Sequence, residues 1–222
     1  SYMAVGIALT LGIKLRLNFV HPFFSKTPQE FFSRWHITLV DWFKSYVYFP
    51  LIRTLSKRFP RRFAMNLGES VVLMLFALWH GLNINFFLWG IELIFIFKFY
   101  RILRKYFSSM KYEIPRARQA FVFFNVLTFI GLVYRTNGLE GMPIHFYNLM
   151  EPWSWTSLDY MVPFLCYSAV IFTIEYYHYS SGDSYFFSNL SPLKRAFVAS
   201  FIFIIFIISG SVSGWNFIYF EF

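Results

Sequence analysis

The chain has 222 residues, of which 57% are hydrophobic, 24% aromatic and 14% charged, with a formal net charge of +9 and a mean hydropathy of +0.49. So little polar surface cannot cover a soluble globule, and the composition predicts a polytopic, membrane-embedded protein in contact with the lipid bilayer. The basic residues gather between apolar runs and form no stripe with base-stacking aromatics, which excludes nucleic acid as the natural partner, and the single cysteine, Cys166, excludes an internal disulfide or a multi-cysteine metal site.

In chain order, the sequence opens at Ser1-Tyr-Met-Ala-Val-Gly-Ile-Ala-Leu-Thr-Leu-Gly-Ile13, apolar from its first residue and without an initiator Met or a charged leader. It reads as the later part of a longer protein, with a first span, 1 to 13, only partly present. His21 precedes Pro22 in a predicted loop. A helix start follows at Ser25-Lys26-Thr27-Pro28-Gln29-Glu30: Thr27 caps, Pro28 suits the first position and Glu30 completes a capping box. One amphipathic helix is expected over 28 to 49. Its apolar face is Phe31, Trp35, Leu39, Trp42 and Tyr46, at steps of three and four, while Arg34, Thr38, Asp41, Lys44 and Ser45 point elsewhere. A helix of this kind lies at the membrane interface or lines a polar cavity. His36 falls between its two faces.

The next run, 70 to 97, is the longest apolar stretch, and His80 is the sole ionisable residue between Glu69 and Glu92. An ionisable group at membrane depth is a functional hypothesis by default. Apolar surroundings favour the neutral imidazole, which can accept a proton from a hydroxyl. Further spans are expected at 119 to 134, 158 to 178 and 196 to 214; a crossing needs roughly 20 residues, so the 119 to 134 run is short and relies on its aromatic ends to extend into the interface.

Two stretches carry most of the positive charge: Arg53, Lys57, Arg58, Arg61 and Arg62, then Lys98, Arg101, Arg104, Lys105, Lys111, Arg116 and Arg118. The positive-inside rule puts both in cytoplasmic loops, with 135 to 157 external and Lys194 and Arg195 internal again. A single crossing by 70 to 97 would separate the two basic stretches. The conflict is resolved by a break at Gly81, Asn83 and Asn85, where side-chain amides can satisfy freed backbone groups and His80 sits at a re-entrant tip. Arms of about 12 to 15 residues are then expected, too short to cross fully; one steeply tilted helix of 28 residues is the alternative.

Two ordered motifs resemble the membrane-bound O-acyltransferase family, and within it the bacterial branch that modifies alginate and teichoic acids. They are Glu30-Phe-Phe-Ser-Arg-Trp-His-Ile-Thr-Leu39 with Trp42-Phe-Lys-Ser-Tyr-Val-Tyr-Phe-Pro50, and Leu78-Trp-His-Gly81 with Asn85-Phe-Phe-Leu-Trp-Gly90. Supporting matches are Ser1-Tyr-Met-Ala-Val-Gly6, Asn18-Phe-Val-His-Pro-Phe23 and Phe217-Ile-Tyr-Phe-Glu-Phe222. Departures are Ala77, where a Gly is frequent, and Tyr134-Arg135, where an aromatic pair tends to precede the Arg.

The resemblance implies an all-α fold whose broken or re-entrant helices surround a central tunnel, with 1 to 222 forming one embedded domain from the C-terminal half of the enzyme. It implies His80 as the catalytic base and His36 as its partner. Arg34, Trp35, Asp41, Trp79, Asn83 and Asn85 are expected as substrate-binding or supporting residues. It also implies a thioester donor, acetyl-CoA or an acyl carrier protein, as cytoplasmic co-substrate, with no bound cofactor or metal. The acceptor is a hydroxyl on an envelope polysaccharide, a periplasmic acyltransferase is a possible partner, and the location is a bacterial inner membrane.

Two other classes stay open on the residues alone. A proton-coupled transporter would use His80 and Glu92 as a relay, although no internal repeat supports it, and a non-catalytic scaffold would recruit an envelope-modifying partner. His21, His145 and His178 read as structural histidines near loops and interfaces. Glu92 and Glu175 read as paired or protonated residues within apolar runs.

Overall fold

The computed structural model describes residues 2–109, 114–136, 172–182 and 189–209, with the isolated positions 141, 143, 147, 165, 168 and 169. Every regular element among them is a helix. The chain divides into two compact units, Ser1–Glu151 and Pro152–Phe222. The second contributes helical residues 172–181 and the helix Pro192–Ser209. The expected spans 158 to 178 and 196 to 214 fall partly outside the described residues, as do Cys166, His145 and the motif 217–222.

The first unit begins with α1, Tyr2–Thr10, and an extended stretch that leads through a single 3-10 turn, Pro22–Phe24, into α2, Pro28–Arg34. Thr27 caps α2 as expected, while the Glu30 carboxylate reaches back one residue farther than the N-cap that a capping box would engage. Thr27 Oγ1 accepts from the Glu30 amide at 3.0 Å, and a Glu30 carboxylate oxygen accepts from the Lys26 amide at 2.9 Å.

The predicted continuous helix over 28 to 49 does not exist. Trp35 is extended, at φ −116 and ψ 127, and His36 is left-handed, at φ 49 and ψ 45, before α3, Ile37–Phe43. The preceding extended segment takes over the hydrogen bonds that a continuous helix would have made. Val20 N donates to Arg34 O at 2.9 Å and Ile37 N to Asn18 O at 3.0 Å. Asn18 Oδ1 then accepts from both Thr38 N (3.0 Å) and Thr38 Oγ1 (2.9 Å), capping α3 from outside.

The break also resets the helical phase. The inward face beyond it is His36, Val40 and Phe43, whereas Trp42 and Tyr46, expected on the apolar face, are 51% and 69% exposed. After α3 the backbone widens into a π turn, Lys44–Tyr48, and continues as α4, Phe49–Leu55. Pro50 accounts for the widening, since it lacks an N–H and its ring would strike the carbonyl of Tyr46 in a regular α-helix.

The long apolar run is broken where the sequence predicts. Helix α5, Arg61–Leu78, is followed by a turn over 79–83 and then by α6, Ile84–Ser109. The two run antiparallel, as their cross-contacts require: a Cβ on Gly90 would lie 2.8 Å from Met74 Sδ and 3.1 Å from Ala77 Cβ. Near the other end Arg101 donates to Asn66 Oδ1 at 3.0 Å and pairs with Glu69. The arms are longer than expected. They have 18 and 26 residues, roughly 27 and 39 Å at 1.5 Å per residue. Each helix continues into its basic stretch, so Arg61 and Arg62 open α5, and Lys98 to Lys105 ride on α6 instead of a loop.

Helix α7, Arg116–Arg135, starts after Pro115 and is the one described helix long and apolar enough to cross a membrane. The core joins Val40 and Phe43 of α3 to Leu73 and Phe76 of α5, Leu93 and Phe97 of α6 and Ile130 of α7. Phe76, 2% exposed, is its best-buried large side chain.

Because Asn18 supplies the acceptor for two donors at the head of α3, Asn18→Ala is expected to cost about 1–2 kcal/mol. The midpoint of thermal unfolding of the detergent-solubilised protein should fall accordingly, and Asn18→Asp, which keeps the acceptor, should recover most of it. An unchanged midpoint in Asn18→Ala would remove this segment from the account of the break at His36.

Candidate active site

His80 lies two residues past the end of α5, where a tight turn replaces the α-helical pattern: His80 N donates to Ala77 O and Gly81 N to Leu78 O, both at 3.1 Å. Gly81 then adopts φ 149, and a Cβ there would stand 2.7 Å from the Phe86 ring. Glycine is required on both counts. Asn83 restarts the chain as helix, its side-chain oxygen taking the Ile84 amide at 2.7 Å. This sharp reversal projects His80 back over the hairpin.

The left-handed turn at His36 brings the second imidazole to the same place. The ring centroids of His36 and His80 are 6.1 Å apart, and each residue is 9% exposed. Aromatic rings enclose them. Phe76 lies 6.1 Å from His36 and 5.6 Å from His80, and Trp79 lies 5.9 Å and 4.9 Å from the same two rings. Phe19 and Trp35 complete the His36 side at 4.8 and 5.4 Å; Trp89 completes the His80 side at 5.4 Å. Most of these contacts are edge-on, the geometry that aromatic quadrupoles prefer.

The expected site residues separate into two groups. His36, His80, Trp35 and Trp79 come together in the cluster. Asn85, 3% exposed, sits in the first turn of α6 and donates from Nδ2 to Tyr134 O at 3.3 Å, while its Oδ1 is buried with no hydrogen-bond partner among the described residues. Asn83 is an exposed cap. Arg34 pairs with Glu30 at 2.9 Å, and Asp41 with Arg16 at 3.0 Å and Lys44 at 3.8 Å. Sequence reasoning missed Tyr134. Its hydroxyl lies 3.3 Å from His80 Nδ1, and the signal for it was a tyrosine closing an apolar span next to Arg135.

Among the described residues no group of three or more His, Cys, Asp or Glu is placed to hold a metal ion. The chemistry within reach of the cluster is proton transfer, with two imidazoles and a phenol in a buried aromatic setting.

Gly81→Ala should be costly, since it forces a side chain onto both a left-handed backbone and the Phe86 ring. A loss of about 1–3 kcal/mol is expected, read as a lower unfolding midpoint in detergent, with Gly12→Ala, where a Cβ meets open space, as the comparison for backbone strain alone.

Residues 1–137 match the model of the membrane-bound O-acyltransferase family. The chain is 30% identical over 148 residues to the teichoic acid D-alanyltransferase of Bacillus subtilis, covering 65% of this chain and 37% of that protein. It is 28% identical over 138 residues to the peptidoglycan O-acetyltransferase of Helicobacter pylori, covering 62% and 25%. Against a protein of Pseudomonas aeruginosa named a probable alginate O-acetylase it is 36% identical over 90 residues, covering 40% and 16%. The chain thus spans well under half the length of these curated relatives. Both imidazoles, the aromatic rings around them and Tyr134 all fall inside the matched stretch, and with more than half its length so matched the chain belongs to the membrane-bound O-acyltransferase family.

Proposed function

We propose that the chain carries the acyl-transfer centre of a membrane-bound O-acyltransferase that esterifies hydroxyls of a cell-envelope polymer. The observation that carries this reading is the pair of buried imidazoles, 6.1 Å apart within one aromatic enclosure, in a chain of this family. His80 accepts the proton of the acceptor hydroxyl, and the oxygen attacks the carbonyl carbon of a thioester donor. The new C–O bond forms as the C–S bond breaks, and the proton passes from His80 to the departing thiolate. Excluding bulk water is as important as the base, because water is the competing nucleophile.

The acyl group in this reading is acetyl, carried by acetyl-CoA or an acyl carrier protein on the cytoplasmic face of a bacterial inner membrane. The relatives' names support transfer to envelope polymers: two are named for O-acetyl transfer and one for D-alanyl transfer. An apolar cavity of about 260 Å³ supports a donor approaching beside the cluster. Phe32, Phe43 and Leu73 form part of its wall, with Lys44 and Glu69 among its polar residues. Phe76 also lines it and touches both imidazole rings. The acceptor, a polysaccharide hydroxyl, approaches from the opposite face, and a periplasmic acyltransferase completes delivery where the polymer lies beyond the membrane.

His36 enters as the partner that orients or polarises a reacting group. His36 holds φ 49, a left-handed conformation that costs a non-glycine residue about 1–2 kcal/mol of backbone strain.

In the full-length enzyme, His80→Ala is expected to lower the base-labile acyl esters recovered from envelope polymers by at least about a hundredfold, the usual share of a general base. Wild-type ester content would sink the assignment. His36→Asn tests the partner separately. Asparagine tolerates the left-handed backbone, so protein level and unfolding midpoint should hold while ester content drops.

A further inference from the structure

We infer that Tyr134 is the positioning residue of His80: its phenol oxygen accepts a hydrogen bond from His80 Nδ1–H and thereby fixes the tautomer in which Nε2 carries the lone pair. The inference rests on the reading of His80 as the base. It adds the residue that makes that base usable.

The geometry is specific to one ring nitrogen. Tyr134 Oη lies 3.3 Å from His80 Nδ1, and Tyr134 has little freedom to be elsewhere. Its ring is held 5.0 Å from Trp89, 5.4 Å from Phe86 and 5.3 Å from His80 itself. Its backbone is tied to α6 through Asn85 Nδ2, which donates to Tyr134 O. The last turn of α7 is closed two residues after Tyr134 by Thr136, whose amide and hydroxyl both donate to Val133 O. Two helices thus fix where the hydroxyl stands.

The direction of the hydrogen bond follows from what the base must do. A neutral imidazole has one N–H and one lone pair, and the bond made by one nitrogen decides which the other carries. For Nε2 to take a hydroxyl proton, the hydrogen must reside on Nδ1, and a buried N–H among aromatic rings needs an acceptor. Tyr134 Oη is that acceptor. When Nε2 gains the proton, Nδ1–H still donates to the same oxygen, so the bond serves both charge states without rearrangement. Tyr134 keeps its own proton throughout. A phenol also suits the setting better than a carboxylate, because it sets the tautomer without leaving a fixed charge beside a resting, neutral imidazole.

The test uses the full-length enzyme, labelled with 15N-histidine and reconstituted in liposomes, with His80→Gln to assign the His80 resonances. The wild-type spectrum should show His80 protonated at Nδ1 and unprotonated at Nε2. Tyr134→Phe keeps every ring contact and removes only the hydroxyl. It should move the His80 proton toward Nε2 and lower base-labile acyl ester on the envelope polymer about tenfold or more, at unchanged unfolding midpoint. A wild-type His80 protonated at Nε2 overturns the inference, and does so even if the variant fails to accumulate. So does a Tyr134→Phe enzyme with both the wild-type tautomer and wild-type ester content. A fully active His80→Gln enzyme overturns the base and with it the purpose assigned to Tyr134, whereas the tautomer resonances report on the hydrogen bond alone.

Discussion

The close approach of α5 and α6 is the constraint on which the rest of the unit depends. At Gly90 there is no room for a side chain, because Met74 and Ala77 of the opposite helix already occupy it. Small residues at such a crossing let two backbones come together and gain dispersion contacts over their whole length. Farther along the pair, Arg101 reaches across to Asn66 and Glu69, which sets the register. With both points held, only residues 79–83 remain to reverse the chain, and the reversal must carry His80. The hairpin also returns the two basic stretches to one end.

The second imidazole arrives by a different device. A break within a helix normally exposes orphaned backbone groups, yet here an extended segment ahead of α2 lies alongside and supplies partners from Asn18 and Val20. His36 is therefore held by backbone hydrogen bonds that belong to neither of its flanking helices. Phe76 joins the two devices, since it packs in the core and also walls both imidazoles. Core packing and the burial of the two imidazoles share this side chain, so the hydrophobic stabilisation of the hairpin and the enclosure of the cluster have one source.

Much of this was legible beforehand, and for local reasons. The Thr27 cap of α2 needs only residues within one turn, and it formed, with Glu30 reaching back to the Lys26 amide. The break after Leu78 was marked by Gly81 and Asn83, residues whose backbone freedom and side-chain amide act on their immediate neighbours. The amphipathic pattern from Phe31 to Tyr46 misled, because periodicity assumes an unbroken phase and the break at His36 turned Trp42 and Tyr46 outward. The lengths of α5 and α6 were underestimated for a related reason: hydropathy ends at the first charge, while a helix continues wherever its backbone hydrogen bonds do. Arg34 and Asp41 stand on either side of His36 in the motif, on separate helices, and form ion pairs with Glu30 and with Arg16.

By itself, the sequence determined what depends on composition, nearest neighbours and ordered motifs: a helical, strongly apolar chain, the points where its longest run must break, and its family. The tertiary structure alone decided which groups meet. Tyr134 is 54 residues from His80 and Asn18 is 20 from Thr38. No local propensity encodes contacts of that range, because they exist only once the helices have packed. The tautomer proposed for His80 is of this kind, a property set by a hydroxyl that the fold delivers from another helix.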